Sequence, residues 1–288
     1  MKEGESSGDW DLIIKGHTSL LDVRFRDIWH YRDLLVLFVR RDFVSFYKQT
    51  VLGPLWFFIQ PIFTTIVFTF VFGQLAGIGT DGLPQVLFYL SGITAWNYFA
   101  DCLTKTSTVF KDNANIFGKV YFPRLIMPLS IVVSSLVRFG VQLLLLIGMM
   151  IFYAARGADF QVTAAILFFP VLILLMALLG LGLGLIITAI TTKYKDLTFL
   201  ITFGVQLLMY ATTVIYPLSV AREKFGDLAW IVEMNPMTGI IEGFRYAFLG
   251  KGEFTFTSIG YSTLVTIIVL FLGIIIFNRT EKNFVDTI

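Results

Sequence analysis

Six long stretches of this chain carry almost no charge. Five contain no charged residue, and the sixth is interrupted once, by Arg138. The stretches are Gln49–Thr80, Gly82–Ala100, Leu125–Ala155, Phe160–Thr192, Leu197–Ala221 and Phe254–Asn278. A helix needs about 20 mainly apolar residues to cross the hydrocarbon core of a bilayer. The sequence therefore predicts an all-α integral membrane protein with six membrane-spanning helices.

The chain divides into three parts around these helices. Residues 1–48 form a cytoplasmic N-terminal segment, residues 49–278 a six-span domain and residues 279–288 a short cytoplasmic tail. The spans are predicted at about residues 52–78, 83–104, 124–155, 160–192, 197–217 and 254–278. The first twenty residues are polar and partly acidic, so we expect no cleavable leader.

Composition supports a membrane protein and argues against several other classes. Only 15% of the residues are charged, whereas a soluble domain has about 25%. The net charge of +2 is too small to indicate a nucleic-acid partner. The single cysteine, Cys102, excludes an internal disulfide. Both histidines, His17 and His30, lie outside the spans, so we expect no metal site and no bound cofactor in this chain.

The basic residues predict which side of the membrane the termini face. Six spans put both termini on one side, and that side has an excess of lysine and arginine beyond the N-terminal cluster. These residues are Lys105, Lys111, Lys119, Arg124, Lys193, Lys195, Arg279 and Lys282. On the opposite side, acidic residues balance the basic ones. Because basic loops stay in the cytoplasm, both termini are predicted to be cytoplasmic.

The segment before the first span mixes charges of both signs with large apolar side chains. Arg40, Arg41 and Lys48 stand close to Gly53-Pro54, where the chain enters the bilayer. This composition predicts an N-terminal amphipathic helix in the headgroup layer, and proline is tolerated in a first helical turn. The alternative is a simple topology signal whose basic side chains only anchor the chain to headgroups.

Two segments between spans are too long for tight turns. After the second span, Asp112 and Asn113 precede an apolar pair, which predicts a short capped helix on the cytoplasmic side. Before the last span, residues 218–252 carry apolar side chains at helical spacing, with Glu242 and Arg245 on the other face. This pattern predicts two short extracytoplasmic amphipathic helices that lie on, or dip into, the outer leaflet.

Arg138 lies inside the predicted third span. It is fourteen residues beyond Arg124, which is about 21 Å along a helix. A charge at that depth is costly and is usually paired, and Asp101 is the candidate partner. We expect a structural ion pair in preference to a substrate contact. In the fourth span, Gly180 and Gly184 form a G-x-x-x-G pattern that favours close helix packing.

Four motifs, in order along the chain, resemble one family. They are RRDFVSFYKQTVLGPLWFFIQP before the first span, NIFGKVYFPRLIMPLS before the third, TKYKDL after the fourth and EMNPMTGIIEGFRYAFLG before the sixth. Together they resemble the membrane subunits of ATP-driven polysaccharide exporters, which export O-antigen, capsule and teichoic acid. Lys195 stands where that family often has arginine, and Phe46 replaces a frequent basic residue.

The resemblance implies a homodimeric permease in the inner membrane of a bacterium, joined to two copies of a P-loop ATPase that binds ATP and Mg²⁺. The chain contains no G-x-x-x-x-G-K-[ST] motif of its own, which is the pattern that cradles nucleotide phosphates. It is therefore expected not to be an enzyme. The resemblance also implies that the ATPase contacts Phe110, Asn113, Asn115, Ile116, Phe117 and Lys119, with Lys193–Asp196 as a smaller contact.

Aromatic and glutamine side chains share one face of the first span and one face of the fifth. The residues at this helical spacing are Trp56, Gln60, Phe63 and Phe70, and then Phe199, Phe203, Gln206 and Tyr210. Rings stack on the C–H faces of a sugar and amides pair with its hydroxyls, so both stripes are predicted to line a polymer pathway. The alternative is that the rings face lipid and the glutamines bond between helices.

The predicted function is export of a lipid-linked polysaccharide, with the polymer left open among the three that the family exports. Arg40, Arg41 and Lys48 would meet the phosphate of the lipid anchor at headgroup level. An ATP-driven exporter of drugs or small lipids is the alternative. A membrane enzyme is disfavoured because no acidic or histidine cluster has catalytic spacing, and an ion-coupled transporter because intramembrane carboxylates are scarce.

Overall fold

The computed structural model describes residues 25–48, 51–117, 122–194 and 196–284, and these form helices and turns without a strand. Lys119 and Lys195 lie outside the described residues. The α-helices are α1 (Phe25–His30), α2 (Arg32–Tyr47), α3 (Trp56–Phe68), α4 (Gln85–Ser107), α5 (Val109–Asp112), α6 (Ala114–Phe117), α7 (Ile126–Ala155), α8 (Phe169–Lys193), α9 (Leu197–Tyr210), α10 (Leu218–Phe225), α11 (Trp230–Glu233), α12 (Pro236–Leu249) and α13 (Phe256–Phe284).

The first span begins and ends in turns that are not α-helical. A 3₁₀ turn over Gly53–Leu55 leads into α3, and it holds Pro54 at a position where a missing N–H costs little. After α3 the helix widens into a π-helix over Thr69–Leu75. There Ala76 N–H donates to the carbonyl of Val71, five residues earlier, at 2.9 Å. Such π turns are rare and occur often at functional sites.

Four helical segments are long and apolar enough to cross a membrane: Gly53–Leu75, Ile126–Ala155, Ala164–Lys193 and Phe256–Thr280. They coincide with the predicted first, third, fourth and sixth spans. The predicted fifth span, α9, is apolar but has only 14 residues. The predicted second span, α4, has 23 residues but falls short of the same hydropathy. The protein is therefore an all-helical, multi-pass membrane protein, and six spans remain a prediction.

Helix α4 is polar for a span because it lies inside the bundle. It packs against α3, α7, α8, α9 and α12, and most of its residues are buried. Its hydroxyl groups find hydrogen-bond acceptors within the helix: Ser91 and Thr94 donate to the carbonyls of Phe88 and Leu90. A helix that is surrounded by protein can carry more polar side chains than a span that faces lipid.

Glycines bring α4, α8 and α13 into close contact, and we call these three helices the slab. A Cβ added at Gly180 would lie 2.8 Å from the Phe99 carbonyl of α4, and one at Gly184 would lie 2.6 Å from Thr106 Cβ. The close packing expected of this G-x-x-x-G pattern is confirmed. On the other side of α8, a Cβ at Gly182 would lie 2.9 Å from the backbone of Leu270 in α13.

The segments assigned to each side of the membrane lie together at each end of the bundle. At one end, a hydrophobic cluster joins side chains of α2, α5, α6, α7, α8 and α13. Its buried members are Phe38, Val109, Phe110, Phe117, Phe122, Ile126, Met127, Ile131, Leu181, Leu185 and Phe277. At the other end, Ser219 Oγ donates to Asp81 Oδ1 at 2.7 Å, and Thr163 N–H donates to the Ala247 carbonyl at 3.1 Å.

The segment before the last span differs from its prediction. Helices occur at both expected places, as α10 and α12, but α12 does not lie on a surface. All of its residues except Pro236 and Tyr246 are buried, and it packs against α4, α8 and α13. The expectation that Glu242 and Arg245 form an outward polar face is therefore wrong, because the two charges pair with each other inside the protein.

Candidate functional site

The aromatic stripe of α9 lies on the surface of the protomer. None of the residues of α9 is buried, and Phe199 is 81% exposed. Phe203, Gln206 and Tyr210 are exposed as well. Helix α9 packs against α4 and α8, so this stripe is left for lipid or for a second chain to cover.

The stripe of the first span is divided among different surroundings. The rings of Trp56 and Phe63 are more than half exposed. The side-chain oxygen of Gln60, Oε1, accepts a hydrogen bond from Arg138 of α7. Phe70 borders a cavity of about 490 Å³ between the first span, α4 and α7, together with Gln74. The members expected on one uniform face therefore meet three environments.

Arg138 and Asp101 form the ion pair that the sequence predicts. Arg138 Nη1 lies 3.0 Å from both carboxylate oxygens of Asp101, and Lys105 Nζ lies 4.0 Å from one of them. The other amino group of Arg138 donates to Gln60, and the guanidinium carbon lies 6.0 Å from the centroid of the Phe57 ring. The pair therefore ties α3, α4 and α7 together, and it leaves Gln60 with only its NH₂ group for other partners.

The predicted phosphate-binding cations differ in their surroundings. Arg41 Nη2 lies 2.8 Å from Asp42 Oδ1, and its guanidinium carbon lies 5.0 Å from the centroid of the Phe38 ring. Arg40 and Lys48 are exposed. A guanidinium that already pairs with a carboxylate attracts phosphate less, so Arg40 and Lys48 are the stronger candidates.

The predicted coupling helix consists of two short helices, α5 and α6. Thr108 Oγ1 donates to Asp112 Oδ2 at 2.6 Å, and Asn113 Nδ2 donates to the Val109 carbonyl at 3.0 Å. These two bonds hold the turn between α4 and α6. Asn113 thus has a local structural role in addition to any contact with a partner.

Two of the predicted coupling residues are not on the surface. The Phe110 ring is fully buried and stacks on Phe277 of α13 at 4.8 Å between ring centroids. Phe117 is buried and stacks on Phe122 at 5.7 Å. Both rings, which the resemblance assigns to ATPase coupling, therefore pack inside the protomer, and their role in coupling stays a prediction. The exposed surface of this element carries Lys111, Asp112 and Asn115, with Ile116 half-buried, while Lys119 is not described.

Helix α12 contains a buried charge pair that the sequence reading placed on a surface. Arg245 and Glu242 are 1% and 2% exposed, and Arg245 Nη1 lies 2.8 Å from Glu242 Oε1. Arg245 Nη2 donates to the Thr213 carbonyl at 2.8 Å, and the guanidinium carbon lies 3.8 Å from the centroid of the Phe88 ring. The other carboxylate oxygen of Glu242 accepts the Glu253 N–H at 3.2 Å.

A second charge cluster lies on the surface of the same end. Arg222 Nε lies 2.5 Å from Glu233 Oε1, and Arg222 also pairs with Glu253. The hydrogen bond that Arg222 donates to Glu233 raises the pKa of Arg222. These contacts join α10, α11 and the loop before α13. The segment from α10 to α13 therefore contains one buried ion pair and one ion-pair cluster on the surface.

The spacing of Glu242 and Arg245 carried a signal that could have revealed their burial. They are three residues apart, which lets them pair on one helix face. The helix around them contains Gly239 and Gly243 and otherwise few polar residues. Periodicity assigns charged residues to water by default, so it misses a pair that neutralises itself. In the described residues, no group of three or more metal-binding side chains occurs.

Comparison with known proteins gives a consistent group of relatives. The O-antigen export system permease protein RfbA of Klebsiella pneumoniae is 27% identical over 255 residues, which is 88% of this chain and 94% of that protein. RfbA of Myxococcus xanthus is 26% identical, with 91% and 98% covered. The polysialic acid transport protein KpsM of Escherichia coli is 22% identical, with 85% and 92% covered.

The ABC-2 type transporter family matches residues 33–249, from α2 to the end of α12. This range includes both stripes, the coupling helices and the buried charge pair, and it is well over half of the chain. The chain therefore belongs to the ABC-2 type transporter family.

Proposed function

We propose that this chain is the permease subunit of an ATP-driven exporter that carries a lipid-linked polysaccharide across the inner membrane of a bacterium. The observation that carries the proposal is the position of the two stripes. The rings of Trp56 and Phe63 on α3, and Phe199, Phe203, Gln206 and Tyr210 on α9, are exposed on the surface of the protomer. Relatives named for O-antigen export and polysialic acid transport support this substrate class over drugs or small lipids.

The stripes make a pathway only if a second copy of the chain covers them. In a homodimer, α3 and α9 of one protomer would face those of its partner and enclose a route lined by rings and amides. A weak, repeated surface suits a polymer that must slide. Trp56 and Tyr210 would be the main stacking residues, with Gln60 and Gln206 as hydrogen-bonding partners for hydroxyls. Phe63, Phe199 and Phe203 would extend the two stripes.

Energy would reach this pathway from two copies of a P-loop ATPase, which would bind ATP and Mg²⁺. The ATPase would dock on the exposed side of α5 and α6 at Lys111, Asp112 and Asn115. Phe110 and Phe117 would transmit the movement, because their rings pack against α13 and the start of α7. Both termini would face the cytoplasm, with six spans between them.

The lipid anchor would approach along α2. Arg40 and Lys48 would attract the phosphate at headgroup level, where each basic residue contributes about 1 kcal/mol. Arg41 would orient α2, since it pairs with Asp42, whose carboxylate accepts Ser134 Oγ of α7 at 3.4 Å. The tail would stay in the bilayer beside Trp56 while the first sugars met the stripe.

Deleting the gene for this chain in its bacterium tests the proposal. The cell surface should lose one polysaccharide, and the lipid-linked polymer should accumulate on the inner face of the membrane. Expression of the intact chain should restore export. The chain purified alone should hydrolyse no ATP. Normal surface polysaccharide in the deletion strain, or ATP turnover by the chain alone, would contradict the proposal.

A further inference from the structure

The charge pair in α12 is not explained by stability. Burying an arginine and a carboxylate costs solvation, and apolar residues of similar volume often stabilise a protein as well or better. Yet the fold makes room for this pair. A Cβ at Gly92 of α4 would lie 3.2 Å from Arg245 Nη2, and one at Gly252 would lie 2.9 Å from Glu242 Oε2. Two glycines therefore border the two charges, and Gly92 also lies against the backbone of Val214, so the pair is closely enclosed by the fold.

Helix α9 needs support at the end that Arg245 contacts. Its 14 residues measure about 21 Å, which is shorter than a hydrocarbon core of about 30 Å. Backbone carbonyls beyond the last helical turn must still find donors inside a membrane. Tyr216 OH donates to the Tyr210 carbonyl at 2.9 Å, and Asn235 Nδ2 donates to the Ala211 carbonyl at 3.3 Å.

Arg245 completes this set of donors from inside the bundle. Its guanidinium is a rigid fork of donors with no acceptor. One arm binds Glu242 of its own helix, and the other binds the Thr213 carbonyl just beyond α9. The Phe88 ring of α4 lies against its flat face. These contacts fix the distance and direction between α12 and the end of α9.

We propose that Arg245 and Glu242 position the outer end of α9, and with it Tyr210, by tying that end to α12. Arg245 is then a positioning residue for the pathway, and any movement of α12 shifts Tyr210 with it. The inference rests on the proposed role of α9 as a pathway helix, but the contact between α12 and α9 can be tested without any polymer.

The single cysteine makes this test direct. Cys102 is fully buried, so the unaltered chain should react slowly with a thiol reagent. Tyr210→Cys reports on the outer end of α9, and Phe199→Cys reports on its other end. The full chain is labelled in its native membrane with a maleimide. In the Tyr210→Cys background, Arg245→Lys should raise the labelling rate about tenfold, since two separate guanidinium nitrogens bind Glu242 and Thr213, whereas lysine carries all its donors on one nitrogen. At Phe199→Cys the rate should not change.

The exposed arginine of the same region is the matched control. Arg222→Lys also removes a guanidinium that bridges two carboxylates, but on the surface. It should alter the labelling of neither reporter. The double variant Glu242→Met with Arg245→Leu separates folding from positioning. It removes both buried charges and leaves the Thr213 carbonyl and the Glu253 N–H without partners, so it should fold, lose less thermal stability than Arg245→Leu alone and still raise the labelling at Tyr210→Cys.

Three results would overturn the inference. The labelling rate at Tyr210→Cys could stay unchanged in a folded Arg245 variant, or the rates at both ends of α9 could rise equally, which would mean general loosening. If neither variant folded, the pair would be a folding requirement and not a positioning device. A loss of polysaccharide export is not part of this test, so an error in the assigned substrate would leave the labelling result intact.

Discussion

Helices α8 and α9 are neighbours in the chain and are both strongly apolar, yet the protein uses them in opposite ways. Helix α8 lies in the slab, with glycines set against the backbones of α4 and α13. Helix α9 has no buried residue, and its Gly204 has nothing within 4 Å of the position of a Cβ. Similar hydropathy therefore conceals two roles: one helix is fixed by contacts within the chain, and the other leaves a face for something outside it.

The two helices also differ in how they end. Helix α8 reaches Lys193 in regular helical geometry after 25 residues. Helix α9 stops at Tyr210, and donors from other segments bind the carbonyls beyond it. Helix α9 also packs more lightly on the core than α8 does, through Ile201, Val205, Leu208 and Met209, so it can move with the parts that hold its end more easily than α8 can. We expect the slab to be the fixed frame and α9 to be a moving part.

The comparison predicts opposite outcomes for the same substitution in the two helices. Gly182→Leu would place its side chain against the α13 backbone, which cannot retreat, so the free energy of unfolding should fall by about 3 kcal/mol or more. Gly204→Leu in α9 should leave the stability of the protomer unchanged. The yield of folded protein in the membrane and its thermal unfolding measure both. Equal stability of the two variants would show that α8 and α9 do not differ in how tightly they are packed.

The Arg138–Asp101 pair joins α7 to α4 of the slab, and Arg138 also binds Gln60 of α3. Breaking this pair should be the next most damaging change. Asp101→Asn leaves a partly buried guanidinium without its carboxylate, which should cost about 3 kcal/mol. Lys105 lies at the edge of the same cluster, 4.0 Å from Asp101, and Lys105→Met should cost about 1 kcal/mol or less. Chemical unfolding curves of the two variants should therefore separate clearly, and coinciding curves would show that the pair is not a tie.

The coupling element repeats the contrast between buried and exposed side chains over a few residues. Phe110→Ala removes a ring that stacks on Phe277 inside the hydrophobic cluster at this end of the bundle, so the free energy of unfolding should fall by about 3 kcal/mol. Thermal unfolding of the full chain measures this. If Phe110→Ala kept its stability and only failed to bind an ATPase, the ring would be a contact residue after all.

The exposed side of the same element should behave in the reverse way. Lys111→Glu combined with Asn115→Asp should change stability by no more than about 0.5 kcal/mol. Docking of the ATPase should weaken, because these side chains lie on the proposed contact surface. Co-purification of the ATPase with this variant, compared with the unaltered chain, measures docking. If the same amount of ATPase co-purified with both proteins, the ATPase would bind at another surface of the chain.

The smallest effect on stability is expected at the stripes. Trp56→Ala and Tyr210→Ala remove exposed rings, so stability should again change by about 0.5 kcal/mol or less. Polymer export per molecule of protein should nevertheless fall several-fold. Leu200→Ala, at another exposed position of α9, is the control and should export normally. If both stripe variants exported at the normal rate, the rings would face lipid only.

The main outline of this fold could be predicted from charge alone, and the reasons are physical. Lipid excludes charged side chains, so long charge-free stretches had to become helices, and α7 and α13 lie where they were expected. The pairing of Arg138 with Asp101 was predictable for the same reason. Helix α4 was found by its lack of charge, although its hydropathy is lower than that of the other long helices, since protein and not lipid surrounds it.

The features that could not be predicted from the sequence depend on contacts between distant segments. Periodicity placed Glu242 and Arg245 outward because it cannot see that two charges will pair inside. Phe110 and Phe117 were taken for contact residues, but their rings fill the cluster around Phe277. The early end of α9 at Tyr210 was not predictable either, because the apolar sequence continues past it and only donors from other segments make the stop possible.

The π-helical turn from Thr69 to Leu75 changes the phase of the first span. A turn that closes five residues back, as Ala76 N–H does on Val71, advances each side chain through a smaller angle than an α-helix does. The spacing of three and four residues that puts Trp56 and Phe63 on one helix face therefore does not put Gln74 on that face. The side chains after Thr69 are therefore rotated relative to those before it, and a polymer on the proposed pathway would have to turn as it advanced.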